Sequence, residues 1–113
     1  MLKKVFNKMK KNIFRHMENY DIDYEDLKRM KLNGAQIVDV RNNREYSEGH
    51  IEGSINIPDY EINKNFEKVF TDHNQIIILY CSSGNRSKNA CKKLIKRGYT
   101  NIFNLYEGIE NLK

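Results

Sequence analysis

The organisation of this chain follows from one stretch, Gln75-Ile76-Ile77-Ile78-Leu79-Tyr80-Cys81-Ser82-Ser83-Gly84-Asn85-Arg86-Ser87. Its first part, residues 75–80, is a nearly unbroken apolar run rich in β-branched side chains, which is typical of a strand buried on both faces of a parallel sheet. Apolar residues then recur at helical spacing as far as Gly98, a natural helix stop: Ala90, Cys91, Leu94 and Ile95. Because ligands of open α/β sheets bind where the strands end, Cys81 stands where a site is expected.

The residues after the strand suit negative charge. Cys81 is a nucleophile as its thiolate, and a loop that feeds a helix start points backbone N–H groups and the positive end of the helix dipole inward. Gly84 lets the loop curl around an anion, and Arg86 adds a full positive charge with a fork of donors. A buried structural cysteine is the usual alternative, but it has no need of Gly-Asn-Arg-Ser after it. We therefore predict a loop that holds negative charge on or next to the Cys81 sulfur.

The spacing of the loop separates two anion chemistries. The loop of cysteine-dependent phosphatases has the sequence pattern C-x5-R and wraps a tetrahedral phosphate. In this chain four residues separate Cys81 from Arg86, so the loop is one residue smaller. The smaller loop favours the terminal sulfur of a persulfide over a phosphate.

Residues 80–87 resemble the active-site loop of the rhodanese (sulfurtransferase) family. Two further groups of motifs, in the family's order, extend the resemblance from about Tyr20 to the C-terminus. The upstream motifs resemble the family's D-V-R and G-H-I-x-G-A signature: Asp39-Val40-Arg41, Glu45-Tyr46 and Gly49-His50-Ile51-Glu52-Gly53-Ser54. The downstream motifs match its closing helix and last strand: Leu94, Gly98-Tyr99 and Asn101-Ile102-Phe103-Asn104-Leu105.

This resemblance implies an α/β, rhodanese-like fold with a central, mainly parallel five-stranded sheet and helices on both faces. It also implies a sulfurtransferase in which Cys81 takes the sulfane sulfur of a donor, thiosulfate or a persulfide, and passes it as a cysteine persulfide to cyanide or a thiol. A protein persulfide is a further possible donor. The reaction requires no organic cofactor and no metal. The predicted substrate-binding loop comprises Ser82, Ser83, Gly84, Asn85 and Arg86.

Supporting roles are implied for residues outside the loop. In the family pattern the residues that match Asp39 and Arg41 hold the active-site region together by ion pairs and hydrogen bonds, and we place Ser87 in the same supporting group. Glu45 is expected to pair with a nearby arginine. His50 is expected to be a structural hydrogen-bonding residue and not a catalytic base, although Cys–His pairs are common in enzymes.

Two departures from the family bear on the donor. Thiosulfate-using members often carry a basic residue directly after the catalytic cysteine, where this chain has Ser82; Lys88 or the basic N-terminus could substitute for it. The family's Gly-Gly after the last strand is Glu107-Gly108 here, and a glutamate near the pocket mouth disfavours anionic donors. A protein or low-molecular-weight persulfide is therefore a credible donor.

Length and composition predict one globular domain of 113 residues, with 39% hydrophobic and 31% charged residues. Two cysteines ten residues apart, without a secretory leader, predict free thiols and a cytoplasmic location. Within the helix after the loop, Cys91 is predicted to be a small core residue, with a resolving role as the weaker alternative. His16, His50 and His73 are scattered, so we predict no metal site.

The N-terminal segment differs from the remainder. Residues 1–16 contain six basic and no acidic residues, so the other residues carry about −1 of the net charge of +5. Apolar residues at helical spacing predict a basic amphipathic helix over residues 1–18, ahead of a rhodanese domain over residues 19–113. This helix could pack on the domain or a second copy; alternatively, residues 1–17 contact a membrane surface or a partner. Nucleic acid is not a predicted partner, because the domain lacks a basic surplus.

Two other functional classes remain open at this point. One is a non-enzymatic sulfur carrier or docking module, in which the N-terminal helix selects the partner. The other is a phosphatase or arsenate reductase, since some of these enzymes share the fold class, although the short loop argues against both.

Overall fold

A computed structural model describes residues 18–110 and 112 of the chain. In this part, five parallel strands form one sheet in the order β1-β5-β4-β2-β3. The sheet confirms the predicted architecture, and β4 lies at its centre. The strands are β1 (Asp21–Ile22), β2 (Gln36–Asp39), β3 (Ser54–Asn56), β4 (Ile77–Tyr80) and β5 (Ile102–Leu105).

Helices cover both faces of the sheet, as the fold class predicts. The α-helices of the described residues are α1 (Tyr24–Leu32), α2 (Asn43–Ser47), α3 (Ile62–Val69) and α4 (Asn85–Lys96), and a 3-10 turn (Asp59–Glu61) precedes α3. One apolar cluster joins α3 and α4 to the sheet, and a second cluster joins α1 to the opposite face. The chain therefore buries its central strand between two helical layers.

The side chains of β4 alternate between these two clusters. Ile77 and Leu79 pack towards α3 and α4, whereas Ile78 and Tyr80 pack towards α1. All four are fully buried. This period of two explains why the strand reads as a continuous apolar run: both of its faces require apolar side chains.

The apolar pattern overestimates the element boundaries in two places. The strand begins at Ile77 and not at Gln75, and Ile76 is 41% exposed. In α4 the buried stripe runs through Ser87, Ala90, Cys91 and Leu94, so Ile95, one position further round the helix, is 42% exposed. The predicted helix stop is confirmed, because α4 ends at Lys96 just before Gly98.

The first helix begins at two aspartates that cap each other. Asp23 is the N-cap of α1: its side chain accepts a hydrogen bond from the backbone N–H of Asp26, and the Asp26 side chain accepts one from the N–H of Asp23. Such reciprocal capping satisfies two donors that the first turn leaves without helical partners. Leu27 is 1% exposed and anchors α1 to the sheet, while Met30 is half-buried beside it.

The basic N-terminal segment, residues 1–17, lies outside the described residues. The amphipathic helix and the domain boundary after residue 18 therefore stay predictions. Within the described range, the helices are all too short or too polar to span a bilayer.

Phe66 on α3 provides a test of the larger core. It is fully buried, with its ring centroid 4.8 Å from that of Phe70 and 5.1 Å from that of Tyr99. We expect Phe66→Ala to lower the free energy of unfolding by about 3–4 kcal/mol, because it leaves a cavity among rings that cannot collapse. Val69→Ala, on the same helix at a position 52% exposed, is the control and should change stability by less than about 0.5 kcal/mol. Urea unfolding measures both, and equal losses would contradict this packing.

Candidate active site

Parallel pairing brings three strand ends to one edge of the sheet. Asp39 is in register with Tyr80, and the backbone N–H of Val40 donates to the Tyr80 carbonyl at 2.9 Å. On the other side of β4, β5 ends close by at Leu105. Cys81 follows β4 directly, so it lies between the residues that leave β2 and those that leave β5.

The Cys81 sulfur is enclosed by the loop that joins β4 to α4. It accepts hydrogen bonds from the backbone N–H of Gly84 at 3.1 Å and of Ser87 at 3.4 Å, and it lies 3.4 Å from Ser87 Oγ. Gly84 is the N-cap of α4 with φ of +96°, a left-handed conformation that favours glycine. This reversal directs the N–H groups of Gly84 and of Ser87, in the first turn of the twelve-residue helix, at the sulfur.

The remaining loop residues lie around this enclosure. Ser82 and Ser83 are half-buried and Asn85 is exposed. The Ser82 hydroxyl lies 3.4 Å from Glu45 Oε2 and accepts from Arg86 Nη2 at 3.3 Å, which closes the loop on its outer side. The part that these residues play towards a second sulfur atom stays a prediction.

Arg86 lies in the first turn of α4, and its charge is balanced by Glu45. The guanidinium donates two parallel hydrogen bonds to the Glu45 carboxylate, at 2.8 and 3.0 Å. Hydrogen bonding to Arg86 lowers the pKa of Glu45 to about 2 despite its partial burial, and the same pair raises the pKa of Arg86. Glu45 therefore has the arginine partner that the sequence predicts, and it links α2 to the loop.

Asp39 and Arg41 form a second, more deeply buried pair. Arg41 Nη2 donates to Asp39 Oδ2 at 2.7 Å and to the Gly49 carbonyl at 2.6 Å. Burial alone would lower the pKa of Arg41, but its hydrogen bond to Asp39 and the charge of that carboxylate raise it. Asn56 donates to the carbonyls of both residues at 2.9 Å. These contacts fix the corner after β2 beside the loop, which is the geometry that a supporting role requires.

His50 lies away from the sulfur, beside α2. Its ring stacks on Tyr46 with centroids 3.7 Å apart, and its Nδ1 lies 2.8 Å from the Tyr46 carbonyl oxygen. These contacts fit the structural role expected of it. Across residues 18–110 and 112, no group of three or more histidine, cysteine or acidic side chains is placed to hold a metal ion.

The segment after β5 supports the loop from behind, and we call residues 108–110 the strap. The backbone N–H of Ile109 donates to the Cys81 carbonyl and that of Glu110 to the Ser82 carbonyl, both at 3.0 Å. A Cβ on Gly108 would lie 2.2 Å from the Ser82 carbonyl oxygen, and its φ is +71°. In the sequence Gly108 stands out only as part of a family motif, and this contact was missed; a glycine shortly after a strand is the signal that could have pointed to it.

A family model described as the Rhodanese-like domain matches residues 23–113. The chain belongs to the rhodanese family. The crystal structure of a rhodanese-like domain protein from Staphylococcus aureus superimposes with a TM-score of 0.73 at 29% identity, over 82% of this chain and 90% of that one. These matches confirm the family and the fold that the motifs predict.

Named relatives of this rhodanese domain fall into more than one functional group. The chain is 30% identical to thiosulfate sulfurtransferase GlpE of Pseudomonas paraeruginosa over 76% of each protein. It is also 33% identical to the putative sulfur carrier protein YrkF of Bacillus subtilis, over 66% of this chain and 40% of that one. The relatives therefore include proteins named as sulfurtransferases and one named as a carrier.

The second cysteine of the rhodanese domain is part of the core. Cys91 is fully buried in the cluster under α4, and its thiol donates to the Phe103 carbonyl at 3.5 Å. Burial raises the pKa of this thiol well above its ordinary value. Because the thiolate is the reactive form, the buried Cys91 thiol is unreactive, and its predicted core role is confirmed.

Gly108→Ala should disturb the loop without touching its side chains. The new Cβ would meet backbone that the strap itself holds, so we expect a loss of about 2–4 kcal/mol in the free energy of unfolding and slower reaction of Cys81 with a sulfur donor. Gly34→Ala is the matched control: φ there is +98°, but the space around its Cβ is open, so a loss of about 1 kcal/mol is expected. Chemical denaturation compares the two variants. If Gly108→Ala loses no more free energy of unfolding than Gly34→Ala, the strap can move to accommodate the new Cβ.

The Glu45–Arg86 pair makes stability depend on pH. Because folding lowers the pKa of Glu45 from 4.5 to about 2, its contribution is complete above about pH 4.5 and is lost as pH falls towards 2. We expect Glu45→Gln to be less stable than the natural protein by about 0.5–1 kcal/mol at pH 7, since this pair is partly exposed and screened, with the difference vanishing near pH 2. Glu48→Gln removes a more exposed ion pair at the end of the same helix and serves as control. Denaturant titrations across this pH range measure the effect; a difference that grows on acidification would contradict it.

Proposed function

We propose that this rhodanese is a sulfurtransferase that moves a sulfane sulfur from a donor to a thiophilic acceptor through a persulfide on Cys81. One observation carries the proposal. The Cys81 sulfur lies inside the loop at the start of α4, with the N–H groups of Gly84 and Ser87 directed at it. A nucleophile in a ring of donors is suited to hold a negatively charged sulfur.

The first half-reaction loads the cysteine. The Cys81 thiolate attacks the outer sulfur of thiosulfate or of a persulfide, forming a new S–S bond. The old S–S bond of the donor breaks, and its electron pair leaves with sulfite or with the donor thiolate. The negative charge then resides on the terminal sulfur of the Cys81 persulfide, which the loop is proposed to surround.

Backbone donors and the helix dipole supply the electrostatic stabilisation. The N-terminus of α4 has first-turn N–H groups without helical partners and a partial positive charge. Donors fixed in place by the fold need no reorganisation when charge develops, so they lower the barrier more effectively than water does. We assign Ser82, Ser83, Gly84, Asn85 and Arg86 to the cradle of the outer sulfur.

The second half-reaction empties the cysteine. An acceptor nucleophile, cyanide in an assay or a thiol in the cell, attacks the terminal sulfur and forms thiocyanate or a new persulfide. The electron pair of the Cys81 S–S bond returns to Cys81 as the thiolate. The two steps share one covalent intermediate, so ping-pong kinetics are expected. Neither step calls for a metal or an organic cofactor, and the cytoplasm stays the proposed compartment.

The surroundings of the loop favour a persulfide donor over thiosulfate. Lys88, one substitute for a basic residue at position 82, points to Asp21, with its Nζ 4.0 Å from a carboxylate oxygen. Arg86 is neutralised by Glu45, and Glu107 directly precedes the Gly108 backbone that contacts Ser82. A dianionic donor thus meets little free positive charge among these residues, whereas a persulfide carries a single charge.

A non-enzymatic sulfur carrier is the second candidate. It is favoured by the likeness to a protein named as a putative sulfur carrier. A carrier would use the same Cys81 persulfide and would transfer it only to a docked partner. The two functions therefore share the loading step and differ in turnover with small acceptors.

Intact-protein mass spectrometry of the reduced protein tests the loading step. We expect a persulfide donor to add one sulfur atom, which cyanide removes. Cys81→Ser should abolish this gain, whereas Cys91→Ser, which removes only the buried core thiol, should retain it. If neither thiosulfate nor a persulfide loads Cys81, the sulfurtransferase proposal fails for these donors.

Turnover then separates the two candidates. Repeated formation of thiocyanate with excess donor and cyanide indicates the enzyme, and a single loading without turnover indicates the carrier. Hydrolysis of an aryl phosphate that depends on Cys81 would instead indicate a phosphatase.

A further inference from the structure

A chain of buried polar side chains leads away from the Cys81 sulfur into the domain. It runs from Ser87 on α4 to Asn104 on β5 and then to Asp21 on β1, and all three residues are fully buried. Ser87 Oγ lies 3.4 Å from the sulfur and 2.5 Å from Asn104 Oδ1. The Asn104 amide nitrogen lies 2.8 Å from Asp21 Oδ1. Polar groups at this depth are costly to bury, so their arrangement calls for an explanation.

Asp21 determines how the Asn104 amide is turned. Its second carboxylate oxygen accepts from the backbone N–H of Glu18 at 2.6 Å and lies 4.0 Å from Lys88 Nζ. Donors therefore face both oxygens of the Asp21 carboxylate, and a carboxylate can only accept hydrogen bonds. The amide of Asn104 must therefore present its NH2 to Asp21 and its carbonyl oxygen to Ser87.

The orientation of Asn104 in turn fixes the hydroxyl proton of Ser87. An amide oxygen can only accept, so the hydroxyl donates its one proton to Asn104 Oδ1. Two further acceptors lie near the hydroxyl, the Gly84 carbonyl at 3.3 Å and the Cys81 sulfur at 3.4 Å, but the contact with Asn104 Oδ1 is the shortest. The lone pairs of Ser87 Oγ, and not its proton, are thus available to the sulfur.

We propose that Asp21 and Asn104 are positioning residues for the sulfur transfer proposed above, because they direct the Ser87 proton away from Cys81 and make Ser87 a hydrogen-bond acceptor for the thiol. In the resting protein the Cys81 S–H donates to Ser87 Oγ. When the thiol ionises, this hydrogen bond is lost, and the thiolate relies on the backbone N–H groups of Gly84 and Ser87. In the persulfide the charge moves to the outer sulfur, and Ser87 keeps its bond to Asn104.

The consequence is that the fold stabilises the Cys81 persulfide anion more than the Cys81 thiolate. The free thiolate places its charge against the lone pairs of Ser87, which opposes ionisation. The persulfide places its charge one atom further out, where this opposition is relieved. The buried chain therefore favours the sulfur-loaded anion over the empty one and limits adventitious reaction of the empty cysteine.

Ser87→Ala gives the deciding test, because the two possible roles of the hydroxyl predict shifts of opposite sign. The measurement is the ultraviolet absorbance of the thiolate as a function of pH, with the signal of a matched Cys81→Ser variant subtracted to remove Tyr and Cys91. We expect Ser87→Ala to shift the titration to lower pH and to raise the thiolate fraction at a fixed pH by about threefold to tenfold, the size of one hydrogen bond. A shift to higher pH, or none, would overturn the proposal, since it would mean that the hydroxyl stabilises the thiolate.

Other groups bear on the same titration and stay unchanged in Ser87→Ala. Ser87 is uncharged, so this substitution leaves the local charges in place. The groups that face the Cys81 environment from the surrounding elements are Arg86 with Glu45 and Asp59, Asp21 with Lys88, and the thiol of Cys91.

A double-mutant cycle tests whether Asp21 affects the Cys81 titration by orienting the Ser87 hydroxyl. Asp21→Asn keeps the size of the side chain but allows Asn104 to reverse, which frees the Ser87 proton to turn to the sulfur. It also removes a buried negative charge, and that effect is common to both backgrounds. We therefore expect Asp21→Asn to shift the titration to lower pH further when Ser87 is present than in the Ser87→Ala background. Equal shifts in the two backgrounds would refute the positioning of Ser87 by Asp21.

Two controls keep these outcomes separate. Circular dichroism establishes that each variant is folded before its titration is read, and Ser87→Ala, the smaller change, carries the test if Asp21→Asn does not fold. A separate experiment tests the sulfurtransferase proposal: the mass of the natural protein after treatment with a sulfur donor. The titration reports the hydroxyl orientation whether or not that protein takes up sulfur.

Discussion

The reversal that the chain makes between β4 and α4 governs the rest of the site. Gly84 adopts a left-handed conformation there and turns its own N–H, and that of Ser87, onto the sulfur that ended the strand. The turn starts from a strand that is buried on both faces, so the end of β4 is fixed between two helical layers. Cys81, the start of α4 and the backbone donors thus belong to one continuous piece of backbone, and the side chains around it set the local charge.

Charge around the loop is arranged in balanced pairs. Glu45 neutralises Arg86 at the outer side of the loop, and Asp39 neutralises Arg41 in the corner after β2. Because both of these arginines have a carboxylate partner, an anion at the loop would be attracted mainly by backbone dipoles. Such dipoles hold a small anion at short range and attract large, highly charged ligands weakly from a distance.

Sequence alone could predict the features that depend on local order. The apolar run of β4 and the glycine stop after α4 are each read within a few positions of one another, and both lie close to where they were predicted. The meeting of Asp21 with Asn104 could not be read in this way. These residues lie far apart in the chain and come together only because β1 pairs with β5. The contact of Gly108 with Ser82 was missed for the same reason, since it depends on the path taken after the last strand.

The strap has a consequence for how the protein is made. The carbonyls of Cys81 and Ser82 accept hydrogen bonds from the backbone N–H groups of Ile109 and Glu110, which the ribosome adds well after Cys81. Until those later residues emerge, the loop cannot take its final form, and its cysteine is surrounded by solvent instead of by fixed donors. During synthesis, the loop therefore reaches this form only after the strap is made, so the Cys81 thiol of a partly synthesised chain lacks the fixed backbone donors that surround it in the finished protein.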